Sequence, residues 1–455
     1  MLPRLRTAAL AVTLMLAPAL PLAAPASAAP AKHYDDFNGD GHRDLAYSYD
    51  LTGSTTEGFS GGAVVVVYGT ASGRLDDSRH QLIHQDSPGI PGSGEEDDSF
   101  GQELANADLN KDGYADLVVG NPAENRGKGS VVIVWGSARG LSGGTTLRDR
   151  TDTPYGFGTD LATGDFNGDG SPDIAAIGGV DTWLHRGPFT RSGRAGRVSE
   201  IGSSDFAPGS LAAGKVTADR RTDLVVLGVR FRTNRTQAWF FKGSAAGLAP
   251  GRKKTIDARR AIDRGPNAAI GDFDRDGYGD IALGDPDEDA GKGSVTLWYG
   301  ASGGPSTSRR TVRLTQGTAG VTGAREREDR FGDALSAGDT NGDGYADLAV
   351  GVPGESVGSE EWAGGVTVFR GGSGGLKGTR SSWFAENSPG IVGTPAADDT
   401  FGNNVRLRDL NRDGRAELTV SAPGDDVGYV LPGTASGPSA AGSYLLTGMG
   451  SGFPN

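Results

Sequence analysis

Short apolar runs separated by polar, glycine-rich turns dominate the chain from residue 32 onward. Stretches such as "GSVVIVWG", "GSVTLWYG" and "GGVTVFRG" are rich in Val and alternate or run apolar for only five or six positions. That length, with β-branched residues inside and Gly or Pro at the borders, predicts short strands. A 3.6-residue period is hard to find, so helices are not expected. Each strand group is preceded by an acidic nine-residue run that turns abruptly apolar, as in "ADLNKDGYADLVVGNP".

The acidic run recurs in one register. It begins at Asp36, Asp108, Asp165, Asp272, Asp339 and Asp409, and an eroded seventh copy begins at Lys215 ("KVTADRRTDLVVLG"). Phe-Gly stands eight residues before the run at Phe100, Phe157, Phe331 and Phe401, and Gly120, Gly284 and Gly351 open a Gly-x-Pro-like turn after it. Self-similarity on this scale marks a repeat architecture. About four short strands per copy cannot bury both faces of one sheet, so the copies must stack; seven arranged radially close into a ring. The expectation is an all-β, seven-bladed β-propeller over residues 29–455, with repeats starting near 32, 100, 157, 207, 264, 331 and 401. Eight residues before Asp36 lies Ala28 rather than Phe, and Phe453 in the final "GSGFPN" is the candidate to fill that place and join the two ends of the ring.

Within each run, side chains at positions one, three and five can converge on one side of a tight turn, Gly at six permits a positive φ, the carbonyl at seven adds an oxygen, and the acid at nine closes the shell. The candidate ligands are Asp36, Asn38, Asp40 and Asp44; Asp108, Asn110, Asp112 and Asp116; Asp165, Asn167, Asp169 and Asp173; Asp272, Asp274, Asp276 and Asp280; Asp339, Asn341, Asp343 and Asp347; Asp409, Asn411, Asp413 and Glu417. All-oxygen donors in a flexible loop favour Ca²⁺ over Mg²⁺, with up to six ions. The four carboxylates from Asp272 are expected to bind best and the copy ending in Glu417 more weakly. Lys215 and Arg220 leave the fourth copy without a site. An EF-hand requires Glu at position twelve and a following helix, but Val119, Ala176, Leu283, Val350 and Val420 occupy that place.

These motifs, "SFG…ADLNKDGYADLVVGNP", "RFG…GDTNGDGYADLAVGVP" and "TFG…RDLNRDGRAELTVSAP", resemble the FG-GAP repeat family, best known from the amino-terminal propellers of integrin α chains. The resemblance covers residues 32 to about 448. It implies β-hairpin calcium loops on one face and ligand recognition on the other.

Composition bears on location and partners. Arg4 and Arg6 precede an apolar run from Ala8 to Leu20 and the small residues Ala26-Ser27-Ala28, the pattern of a signal peptide over residues 1–28, too short to span a bilayer. A secreted, extracellular, monomeric protein is the expectation. Losing those two arginines takes the formal charge from −13 to −15, which disfavours nucleic acid and anionic lipid, and six Ca²⁺ would bring it to −3. No cysteine is present, so no disulfide contributes.

Catalytic candidates are weak. Gly-x-Ser-x-Gly occurs around Ser302 and Ser373, but Ser72 and Ser137 occupy equivalent loops, so a repeated turn accounts for them, and no helix is expected to follow. His80 and His84 read as ordinary outer-strand residues. Tyr68, Trp135, Trp239, Trp298, Tyr299 and Phe369 fall at third-strand ends, where blade packing is the simpler account than a sugar platform. The leading reading is therefore a non-enzymatic recognition or adhesion-like module for an extracellular protein or carbohydrate. The alternative is a secreted hydrolase or polysaccharide lyase on the same repeats. Three connectors, from His84, Thr315 and Ala385, share one form ("SPGIPG", "TAGVTG", "SPGIVG"), and Ile90, Glu95, Glu96 and Ile391 are the candidate ligand-binding residues.

Overall fold

The computed structural model describes residues 31, 33–49, 60–147, 155–259, 267–447 and 453. The signal-like segment lies outside them. Apolar runs pair as antiparallel neighbours: in the second repeat Glu103–Ala107, Asp116–Asn121, Ser130–Trp135 and Ser142–Leu147 form a four-stranded sheet in chain order. Repeats three to seven each build the same four-stranded unit. The first strands of repeats two to seven lie side by side in sequence order around a common axis, giving a seven-bladed propeller. Among the described residues helical hydrogen bonding is confined to three three-residue 3-10 turns and two four-residue segments, Glu124–Gly127 and Glu288–Gly291, and left-handed residues inside each of these two make them turns.

Blade one departs from the expected four strands. Among the described residues it has three, Leu45–Tyr49, Ala63–Val67 and His80–Ile83, and its hairpin comes before the first of them. The innermost place is taken instead by a turn at residues 33–35, where Asp35, 1% exposed, meets Arg43 at 2.8 Å and Arg408 at 3.4 Å. Phe453 is buried in the cluster that joins blades seven and one, with Leu45, Tyr47, Val65, Leu410 and Leu446. Tyr47 Oη donates to the Thr447 carbonyl at 3.1 Å across that seam.

The core is a set of inter-blade clusters. Val64 and Val66 of blade one pack with Leu117, Val119 and Val132 of blade two around Phe100, and Phe157, Phe331 and Phe401 take corresponding places later. Gly101, at φ +92°, has to be glycine: a Cβ there would lie 2.8 Å from the Ala63 carbonyl oxygen. Trp135, Trp239, Trp298, Tyr299 and Phe369 are all buried, so the third-strand aromatics pack between blades.

Candidate metal centres

Antiparallel order puts every hairpin between strands one and two on one face of the ring. The connections between blades, and the turns between strands two and three, lie on the other. In each intact hairpin the side chains tie the backbone into the same figure. In the second copy, the Asp112 N–H donates to Asn110 Oδ1 at 2.9 Å, Tyr114 N–H to Asp112 Oδ1 at 3.1 Å and Gly113 N–H to Asp108 Oδ2 at 3.2 Å. The copies from Asp36, Asp339 and Asp409 repeat these three bonds. Position six is left-handed in all six, from Gly170 at +80° to Gly113 at +94°. Position four is left-handed as well, with Gly39, Gly168 and Gly342 but also Lys111, Arg275 and Arg412, a requirement the sequence reading did not identify.

Position nine also has a structural task. Asp116 is fully buried, and both of its oxygens are used by the backbone: Leu109 N–H donates to Oδ2 at 2.9 Å and Gly136 N–H to Oδ1 at 2.9 Å. Asp44, Asp173, Asp280 and Asp347 make the same two-ended clamp between their hairpin and the end of the third strand. The eroded copy keeps it: Asp223 accepts from Thr217 N–H at 2.8 Å and Gly243 N–H at 2.9 Å. Asp223 survives where positions one and six have become Lys215 and Arg220, and this was the available signal that position nine has a structural task. Glu417, one methylene longer, accepts from Leu410 N–H at 2.7 Å and also from Asn411 Nδ2 at 2.9 Å.

Burial pushes these acids up, and the other carboxylates of the loop add to it: Asp44 to about 8, Asp116 and Asp280 to about 7, Asp173 to about 6. Their backbone donors oppose that shift without cancelling it.

The hairpins are also linked to one another. The position-eight N–H of one copy donates to the position-one carbonyl of the preceding copy: Ala115 to Asp36, Thr222 to Asp165, Gly279 to Lys215, Ala346 to Asp272 and Ala416 to Asp339, at 2.7–3.0 Å. Between copies two and three the bond cannot form, because position eight is Pro172, which has no N–H.

The donor set fits a hard divalent cation. Asp272, Asp274 and Asp276 each offer an oxygen within 4.8 Å of the others, and Asp36 Oδ1 and Asp409 Oδ1 are buried without a hydrogen-bond partner. In the Asp272 copy, however, the Arg309 guanidinium is paired with Asp274 and lies 3.9 Å from Asp276. The extra carboxylate there has a cationic partner from the chain itself, which removes the reason for ranking this loop first.

The other candidates separate. Ile90 is 9% exposed and packs in the core between blades one and two, and Ile391 is half-buried against the cluster of blades six and seven. These isoleucines anchor their connectors in two separate inter-blade cores, so they do not form one surface spanning blades one and seven. Glu95 and Glu96 are exposed, as is Val392 beside Ile391. Among the described residues no metal-type cluster includes His80 or His84. No helix among them is long and apolar enough to cross a membrane.

Comparison with known proteins follows the same repeats. The FG-GAP repeat family matches residues 100–134, 157–199, 264–298 and 331–369, each stretch holding one intact hairpin. Phosphatidylinositol-glycan-specific phospholipase D of Bos taurus is 34% identical over 161 residues, 33% of this chain and 18% of that protein. Integrin alpha-7 of Mus musculus is 36% identical over 122 residues, 26% of this chain and 10% of that one. The match thus spans less than a fifth of the length of either relative. A solved structure of a protein from Lactobacillus plantarum, 11% identical, superposes with a TM-score of 0.50 over 91% of this chain and 98% of that one, a likeness of fold alone.

Proposed function

We propose that this chain, an FG-GAP repeat protein built as an integrin-α-like seven-bladed propeller, is a secreted, calcium-stabilised recognition module for an extracellular protein or glycan. The observation that carries the reading is the division of the ring into two faces. Six pre-ordered oxygen-lined hairpins occupy one face. On the other, three connectors of a common frame hold exposed side chains, Glu95, Glu96 and Val392 among them, on buried anchors. Ca²⁺ held by positions one, three and five would neutralise the loop carboxylates and rigidify the ring from the hairpin side. Recognition would then use the opposite side, as loops on rigid scaffolds commonly do.

Pulldown from cell-surface extracts, with and without chelator, tests this. A specific protein or glycan should be captured in calcium, lost in EDTA, and weakened by E96K or V392D in a folded variant. Capture indifferent to both chelator and these substitutions would refute the reading.

A hydrolase or lyase has one observation in its favour. A cavity of about 690 Å³ on the axis is lined by Glu103, Asp160, Arg406 and Arg408. Burial raises Glu103 well above the usual carboxylate range, with Asp160 adding to it, and raises Asp160 to about 7. Turnover of a polysaccharide panel that disappears in E103Q would favour this second reading.

A further inference from the structure

The face away from the hairpins carries a second set of acidic groups. In blade two the connector and the turn after the second strand bring Glu95, Asp98 and Glu124 together, each offering an oxygen within 4.8 Å of the others. In blade seven Glu386, Asp399 and Asp425 do the same, Asp399 and Asp425 standing where Asp98 and Glu124 do. Asp98, Glu124, Glu386 and Asp399 are each at most 6% exposed. Three carboxylates this close, two of each three buried and the third (Glu95 or Asp425) at the exposed rim, repel one another unless positive charge or protons lie between them.

A separate feature points to what lies between them. Gln85, 2% exposed, donates its amide N–H to Glu124, and Asn121, fully buried, donates to the same Glu124 oxygen at 2.8 Å. The carbonyl oxygens Gln85 Oε1 and Asn121 Oδ1 are left buried with no hydrogen-bond partner. In blade seven the residue matching Gln85 is Glu386; its Oε1 accepts from Tyr429 Oη at 2.6 Å, and its Oε2 is likewise buried without a partner. Orphaned buried acceptors are costly. A half-turn of each amide would present oxygen in place of N–H to the same point, which a cation beside Glu124 would favour.

Blade six supplies the contrast. Gln316, Glu326, Asp329 and Glu355 repeat the frame, and Gln316 Oε1 is likewise buried without a partner, but the three carboxylates are not grouped within 4.8 Å of one another, and Lys292 and Arg325 bring positive charge to Asp329 beside the opposing charge of Glu326. There the chain provides its own cation.

We infer that blades two and seven each hold a further divalent cation, Ca²⁺ by its preference for flexible oxygen ligands, between the incoming connector and the turn after the second strand: in blade two on Glu95, Asp98, Glu124 and the amide oxygens of Gln85 and Asn121, in blade seven on Glu386, Asp399 and Asp425. These sites are independent of the hairpins and lie on the opposite face. Each ties a connector to its blade.

Ion counting by native mass spectrometry and equilibrium dialysis with ⁴⁵Ca²⁺ tests the assignment. D98N/E124Q and E386Q/D425N should each bind one Ca²⁺ fewer than the parent, and the combined variant two fewer. The hairpin variant D339N/D343N should lose a different one. Melting adds a sign test: relieved of repulsion, the junction variants should melt above the parent in EDTA and below it in calcium. An unchanged count, with melting raised in both media, would overturn the proposal. Should the variants not fold, anomalous difference density from parent crystals grown in CaCl₂ decides. A peak about 2.3–2.6 Å from the Glu124 and Asp98 oxygens supports the site, and hairpin peaks without one there overturn it.

Discussion

Replacing Asp223 separates the structural task of position nine from metal binding, because its hairpin has lost the other ligands. The side chain is fully buried and accepts Thr217 N–H and Thr217 Oγ1 on one oxygen and Gly243 N–H on the other, at 2.8–2.9 Å. D223A strands two backbone donors, each costing about 1–3 kcal/mol when buried and unpaired. The carboxylate's own burial, which raises its pKa, offsets part of the loss, so a net destabilisation of about 3 kcal/mol is expected. D223N keeps one acceptor and should lose roughly half as much. With a urea slope of about 3 kcal/mol/M, the D223A midpoint falls by about 1 M. The penalty should be the same in calcium and in EDTA, whereas D108N, at position one of an intact copy, should cost most of its effect in calcium only. A D223A midpoint within ~0.2 M of the parent, or a penalty present only in calcium, would refute the clamp.

Chelation should lower the melting temperature by many degrees: at ten times Kd each hairpin ion contributes about 1.4 kcal/mol, so six approach ~8 kcal/mol as an upper bound, and scanning calorimetry in EDTA against calcium checks it. Stripped of calcium, the protein should lose stability as pH rises from about 4 to about 8, because Asp44, Asp116, Asp173 and Asp280 have folded pKa values raised above the unfolded value of 3.8; the folded state holds the extra protons in that window and forfeits them above it. Urea midpoints in EDTA at pH 5 and pH 8 test the sign, and a higher midpoint at pH 8 contradicts it. F453A should cost about 3 kcal/mol by opening a cavity in the seam between blades seven and one, measured by urea unfolding; a loss below ~0.5 kcal/mol would mean that Phe453 does not hold the ring.

Repetition made most of the architecture readable. One nine-residue run is a solvated turn as easily as a metal loop, but six in register before short apolar runs allow little except stacked hairpins. The blade number and hairpin positions follow from that register. What escaped is whatever depends on a neighbouring blade. The left-handed position four is visible as Gly in three copies yet masked by Lys111, Arg275 and Arg412 in the rest. Ile90 looked like an exposed apolar residue in a polar loop, and only the fold shows that its connector bends back over the core of blades one and two.

The bonds from position eight to the preceding carbonyl turn these local failures into one physical statement. A hairpin does not fold against solvent but against the hairpin before it, so Lys215, useless to a metal, still offers its carbonyl to Gly279 and keeps the series intact through the eroded blade. Pro172 breaks the series once, and there the third copy lacks a bond to the copy before it, keeping its own Asx-type bonds, the Asp173 clamp and the Thr222 bond from the copy after it. An ion that orders one hairpin therefore fixes a carbonyl used by the next, and calcium affinity should be coupled between copies five to seven more strongly than across Pro172. Restoring the missing donor with P172A is expected to raise the affinity of the second and third hairpins together. A calcium isotherm in which P172A changes neither would show that the linked backbone transmits nothing.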